Sequence, residues 1–250
     1  MEGIQTETKT SPEFLSAFDL CVRCGNEAAL GDKAPKWPGY CASCHGIGAV
    51  RLREGLLEKL PERLNADGIP PNCQQWKLET PAFLAKAIER YYESPRGLFL
   101  WGRVGVGKTM AMALFLNDWY KKFIADEKNA YLHSIPDVWR WIDYPAFIME
   151  IQDAFKNGDG ETTAYQKLKK LADIPGLVID DLGVEKPTPY VVQATYYLLD
   201  RREKYLRQTF ITSNLPPSGL DEQYGARITD RIVGCCDVLE MTGKNRRLKP

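Results

Sequence analysis

From about residue 73 onward, short continuous apolar runs alternate with longer stretches whose apolar residues recur at helical spacing. The runs GLFLWG (97–102), AYLHSI (130–135), GLVIDDL (176–182), QTFITSN (208–214) and DVLEM (237–241) predict strands. Residues 81–93, 108–124, 145–157, 189–206 and 217–233 predict helices between them. Strands alternating with helices in this way predict an α/β fold, a five-stranded parallel sheet held between helices. Upstream, residues 49–64 (AVRLREGLLEKLPERL) place leucines at helical spacing among charges, interrupted by Pro61, and the loop NADGIPPN follows. Residues 1–48 carry little periodic apolar signal. The pattern therefore predicts a small front domain (1–48), a linking helix and loop (49–72), and an α/β domain (73–250).

Composition narrows the classes without choosing among them. With 33 Lys+Arg against 33 Asp+Glu, no global field draws the chain to DNA or to an anionic membrane, so a nucleic-acid contact requires a local patch. The N-terminus lacks the basic-then-apolar order of a signal peptide, and no apolar run approaches the ~20 residues of a spanning helix. The expectation is a cytoplasmic protein with no membrane partner.

The apolar run at 97–101 breaks into Gly102-Arg103-Val104-Gly105-Val106-Gly107-Lys108-Thr109, which fits G-x-x-x-x-G-K-[ST] at every required position. Glycines let the backbone curl so that successive N–H groups face phosphate oxygens. Lys108 can reach the β- and γ-phosphates of ATP, the Thr109 hydroxyl can ligate Mg²⁺, and the following helix directs its positive end at the charge. A second acidic site follows in LVIDDLG (177–183), at the C-terminal edge of a parallel strand where such sheets bind ligands. Asp180 is placed to hold magnesium through water, and Asp181 to orient or deprotonate the attacking water. Because Asp181 is shorter than glutamate, slow or partner-stimulated ATP hydrolysis is the expectation. The next strand delivers Asn214 to the same edge, and the helix after it carries Arg227 and Arg231 four apart on one face.

Taken in order, the phosphate loop, IDDLG, TSN, the GARITDR box and a short strand before G-K-N-R-R resemble the DnaC/DnaI-type replicative-helicase loaders. They equally resemble the IstB-type transposition-helper ATPases, which assemble on DNA and recruit a transposase. Both lie within the AAA+ class. The resemblance spans about residues 73–248. It implies a P-loop AAA+ core, with Asn214 in the position of sensor 1 and Arg231 as an arginine finger acting on an adjacent subunit's ATP. Arg227 is read as its companion. It also implies self-association through the ATPase domain, and the expectation is a core without the full helical lid of larger AAA+ proteins. The basic positions Lys244, Arg246, Arg247 and Lys249 are then either a phosphate-contacting tail or a solubilising end.

Four of the seven cysteines form two chelating pairs, Cys21-x2-Cys24 and Cys41-x2-Cys44, separated by sixteen residues. Each pair can turn two thiolates to one ion, and together they complete a tetrahedral, structural Zn²⁺ site of zinc-ribbon type. His45 adjoins as a fallback ligand. A segment with so little apolar periodicity needs such a metal to fold. Beside the loader motifs, this module resembles the helicase-docking front domain of the DnaI branch, implying a hexameric replicative helicase as partner. DNA binding by the ribbon is the competing use. Finally, the aromatic stretch 138–155, with Trp139, Trp141, Tyr144, Phe147, Phe155 and Arg140, is read either as core or as a surface that stacks the bases of single-stranded DNA.

Overall fold

The computed structural model describes residues 42–74, 86, 89–91, 96–126, 134–156 and 160–246, with backbone alone at 42–49, 74, 155–156 and 160–162. Two compact units divide the chain, one comprising 1–58 with 124–134 and the other 59–123 with 135–250. Within the first, α1 runs from Ala42 to Glu58. Cys44 and His45 thus sit on helical backbone, while Cys21, Cys24 and Cys41 lie outside the described residues. The second unit opens with α2 (Leu60–Ala66), whose first turn takes in Pro61 at a position where its missing N–H costs nothing, and α3 (Pro71–Gln74). The stretch expected to link the domains is thus shared between the units, and Leu60, Leu64, Ile69 and Cys73 enter the core of the second.

That core is built on five parallel strands, β1 (Gly97–Trp101), β2 (Trp139–Asp143), β3 (Gly176–Leu182), β4 (Gln208–Ser213) and β5 (Cys236–Glu240), in the order β2-β3-β4-β1-β5. Along β1 the alternation of side chains sends Leu98 and Leu100 to one face and Phe99 to the other. Phe210 and Ile211 of β4 divide in the same way. The first face packs on α4 (Lys108–Ala125) through Met112, Phe115, Leu116 and Tyr120, and α2 joins it. The second packs on α5 (Tyr144–Lys156), α6 (Gly160–Asp173), α7 (Pro189–Lys204), α8 (Pro217–Tyr224) and α9 (Ala226–Cys235). Being covered on both faces is why these strands read as unbroken apolar runs.

Three local expectations are corrected. The second strand in chain order is WRWID at 139–143, whereas residues 134–138 are not strand and 130–133 lie outside the described residues. The helix α6, absent from the sequence expectation, is held by Ala164, Leu168 and Ala172, which recur at four-residue spacing on its buried face. The helix expected at 217–233 is two, broken at Gly225, whose φ of +88° a helix cannot accommodate. The aromatic stretch supplies core rather than a stacking surface: Trp139, Trp141, Tyr144 and Phe147 are all buried. Arg140 is engaged with the Ala66 carbonyl and Asp137, and the Phe155 side chain lies outside the described residues.

Candidate functional site

The C-terminal ends of β1, β3 and β4 converge on one cavity of about 320 Å³, lined among others by Gly105, Gly107, Lys108, Thr109, Asp181 and Asn214. The loop leaving β1 returns into α4, so the first N–H groups of that helix open on the cavity. Lys108 is 5% exposed, and its ammonium donates to the carbonyls of Gly102 (2.9 Å) and Arg103 (3.1 Å) and to Asn214 Oδ1 (2.7 Å). Asn214 therefore shares the cation that serves the phosphate loop, as its place just beyond β4 predicts.

The two aspartates separate by a backbone irregularity. Between Ile179 and Leu182 the register of β3 on β4 slips, three steps on β3 spanning the two from Ile211 to Ser213 on β4. Asp181 takes up the extra residue with φ of +60°, a left-handed conformation that costs a non-glycine residue about 1 kcal/mol. Its N–H donates to Thr212 Oγ1 at 2.9 Å, and it faces the cavity. Asp180 stays in the ladder opposite Asp143 and accepts from the Thr109 hydroxyl (3.2 Å) and the Thr212 hydroxyl. The bulge thus turns two adjacent acids to different tasks. Burial pushes the Asp180 carboxyl up to about 6; the Thr212 hydrogen bond works against this and the neighbouring Asp181 charge adds to it.

A carboxylate raised by burial binds its proton more tightly folded than unfolded, so stability of the empty protein falls as pH rises from about 4 to about 6. Asp180→Asn is expected to remove that slope and to stabilise the nucleotide-free protein at pH 7 by on the order of 2 kcal/mol. Urea denaturation of both proteins at pH 5 and pH 7 checks it. A variant less stable than the parent at pH 7 would refute the burial argument.

Residues that the motif reading did not assign complete the cavity. Chain 241–246 crosses the phosphate loop: the Arg246 N–H donates to the Gly105 carbonyl (2.8 Å), and Arg246 lines the cavity. A Cβ on Gly105 would fall 1.9 Å from Asn245 Oδ1, and one on Gly102 would fall 2.2 Å from the Met241 carbonyl. Those glycines therefore serve close approach of the C-terminal segment as well as curvature. Of the basic positions near the C-terminal end, Arg246 lines this cavity, whereas Arg247 and Lys249 lie outside the described residues. Asn72 and Cys73 line it from the other side, the thiol being pushed up by burial and then by Asp180. Thr212, the buried first residue of TSN, reads in the sequence only as a strand residue.

Arg231 is placed elsewhere. On α9 its guanidinium bonds Glu203 (2.8 Å) and Asp200 (3.1 Å) of α7 and lies 5.9 Å from the Tyr196 ring centre. It is not among the residues lining the phosphate cavity, and Arg227, one turn earlier, is exposed.

The chain is 28% identical over 205 residues to the replicative helicase loader DnaI of Bacillus subtilis, covering 74% of this chain and 60% of that protein. It is 24% identical over 200 residues to the replicative helicase loader DnaC of Escherichia coli K12, covering 74% and 76%. The chain is a relative of the replicative helicase loaders. It spans less than two thirds of the length of the DnaI relative. No family profile matches it. Among solved structures, the crystal structure of DnaI aligns with a TM-score of 0.52 at 24% identity, covering 70% of this chain and 89% of that one. The replication initiator DnaA bound to AMPPCP and single-stranded DNA aligns with the same score at 17% identity, covering 71% and 52%. At these identities the structures establish a shared fold, and the loader relationship rests on the sequence relatives.

Proposed function

We propose that the chain is an ATP-driven loader of a hexameric replicative helicase. The observation that carries this is the divided site: loop, acids and Asn214 meet in one cavity, while Arg231 is held outside it, on a chain whose relatives are loaders. The DnaA structure bound to an ATP analogue supports the nucleotide reading.

In this reading the backbone N–H groups of residues 103–109 and the Lys108 ammonium bind the phosphates. Thr109 and Asp180, 3.2 Å apart with one buried carboxylate between two hydroxyls, fit Mg²⁺, directly or through water. Bound magnesium would supply neutralisation of charge between the β- and γ-phosphates. Asp181, turned into the cavity by its bulge, orients the attacking water, and Asn214 and Arg246 fix the γ-phosphate end. Arg231 serves the pocket of an adjacent subunit, which makes turnover a property of the assembly. Cys21, Cys24, Cys41 and Cys44 hold one structural zinc in a front domain that docks the helicase, and single-stranded DNA is the track on which the helicase is placed. Among the described residues no helix is long and apolar enough to cross a membrane, and the proposed work is cytoplasmic.

The test is loading onto a DNA circle without ends. Purified protein and the replicative helicase of the same genome are mixed with closed single-stranded circles, and helicase retained after a salt wash is counted. Retention should require both this chain and ATP, with one zinc per chain by elemental analysis. Helicase retained equally without the chain would exclude a loader.

A further inference from the structure

Cys235 and Cys236 lie where α9 turns into β5, one the last residue of the helix and the other the first of the strand. Their sulfurs are 3.6 Å apart. Cys236 is 2% exposed, and its thiol donates to the Thr209 carbonyl of β4 at 3.2 Å. It reaches that carbonyl across β1 because Gly97, its partner in the ladder, has no side chain: a Cβ there would stand 2.8 Å from the sulfur. Cys235 is partly exposed, whereas Cys236 is buried against the sheet.

Two guanidiniums flank the junction. Arg202 is fully buried, fixed by the carbonyls of Leu171 (2.6 Å), Ile174 (2.9 Å) and Gln208 (2.5 Å) and by the Thr209 hydroxyl (2.9 Å), and its charge acts on both sulfurs. Arg96 donates to the carbonyls of Val233 (3.1 Å), Gly234 (3.0 Å) and Cys236 (3.4 Å), offsetting the negative end of α9. Glu203 is the opposing charge near Cys235, itself engaged by Arg231. The sulfur–sulfur contact lowers the Cys235 thiol, with Arg202 contributing, while that contact and burial push Cys236 up; as a thiol, Cys235 lies 3.8 Å from the Ile232 carbonyl. A partly exposed thiol favoured as thiolate beside a second, buried thiol is the arrangement of an attacking and a resolving cysteine.

We propose that Cys235 and Cys236 are a peroxide-oxidised dithiol, with Cys235 the nucleophile and Cys236 the resolving thiol. The Cys235 thiolate attacks one oxygen of a hydroperoxide, the O–O bond breaks, and the leaving oxygen departs as water (or, from an organic hydroperoxide, as the alcohol) after taking up a proton. This leaves a sulfenic acid on Cys235. The Cys236 sulfur then attacks Cys235 Sγ, the S–O bond breaks, and a second water leaves with the Cys236 proton. With hydrogen peroxide, two thiols and one peroxide become one disulfide and two waters, two electrons passing from sulfur to oxygen. Closure draws Cys236 off the Thr209 carbonyl and tightens the α9–β5 junction, one helical turn beyond Arg231. The bridge joins α-carbons closer together than disulfides usually span, so a dithiol reductant should reopen it. This inference is independent of the loader reading.

The test uses the full-length protein treated with hydrogen peroxide, then denatured, alkylated and digested with trypsin. The peptide Ile232–Lys244 carries both thiols and no other cysteine. It should appear unalkylated and lighter by two hydrogens, apart from any added oxygen on Met241, and dithiothreitol should return it to the doubly alkylated form. Cys235→Ser should abolish the lighter species while leaving Cys236 alkylatable. A wild-type peptide that stays doubly alkylated, or that carries Cys235 as sulfinic acid with Cys236 still free, would overturn the proposal.

Discussion

Arg231→Ala is expected to leave ATP affinity per chain unchanged and to lower turnover of the assembled protein about a thousandfold. The unchanged affinity follows from position, since Arg231 is no part of its own chain's phosphate cavity. The lost turnover follows from the charge that develops on the γ-phosphate, which a guanidinium from the next subunit would neutralise. Folding should survive, because the pairs with Asp200 and Glu203 are more than a third exposed on the arginine side and such pairs contribute about 1 kcal/mol or less. Mixing this variant with Lys108→Ala is expected to restore part of the activity, one chain supplying the pocket and the other the arginine. Turnover measured against mixing ratio checks it; full activity of Arg231→Ala alone would reduce the protein to a monomeric nucleotide binder.

Lys108→Ala should weaken ATP binding about a hundredfold, corresponding to the loss of about 3 kcal/mol of charge-assisted hydrogen bonding. The buried ammonium does more than meet phosphate. It ties Gly102, Arg103 and Asn214 together, so its removal leaves three oxygens without this donor and loosens the loop as a whole. Titration calorimetry with ATP and magnesium gives the affinity directly. A value within about threefold of the parent would remove the phosphate-loop assignment.

Local motifs are legible because their geometry is written in consecutive residues. The loop from Gly102 to Thr109 and the pair Asp180-Asp181 each announce themselves over a few positions, and the five-stranded parallel sheet follows from the alternation around them. What failed was whatever depends on which of two similar runs is chosen, or on distant partners. AYLHSI and WRWID both read as apolar runs, and the tryptophans of the second read equally as core or as a stacking surface. The helix α6, GETTAYQKLKKLAD, was hidden by its polarity, since so few of its side chains meet the core. Nothing in sequence tells that Asp200 and Glu203 receive Arg231, that Thr212 stands between the two aspartates, or that Arg246 comes back across Gly105. Those relations are made by the sheet order.

That order has a consequence for synthesis. β1, which carries the phosphate loop, hydrogen-bonds to β4 and β5 and to neither of the strands that leave the ribosome next. β2 and β3 can pair as soon as both are made. The loop has to wait for Gln208–Ser213 before its strand has a neighbour, and for Asn214 and Arg246 before its lysine and its backbone have their distant partners. Contacts of such long sequence separation form late. A nascent chain should therefore be blind to ATP until nearly all of this domain has emerged, and competence for nucleotide would mark the end of folding.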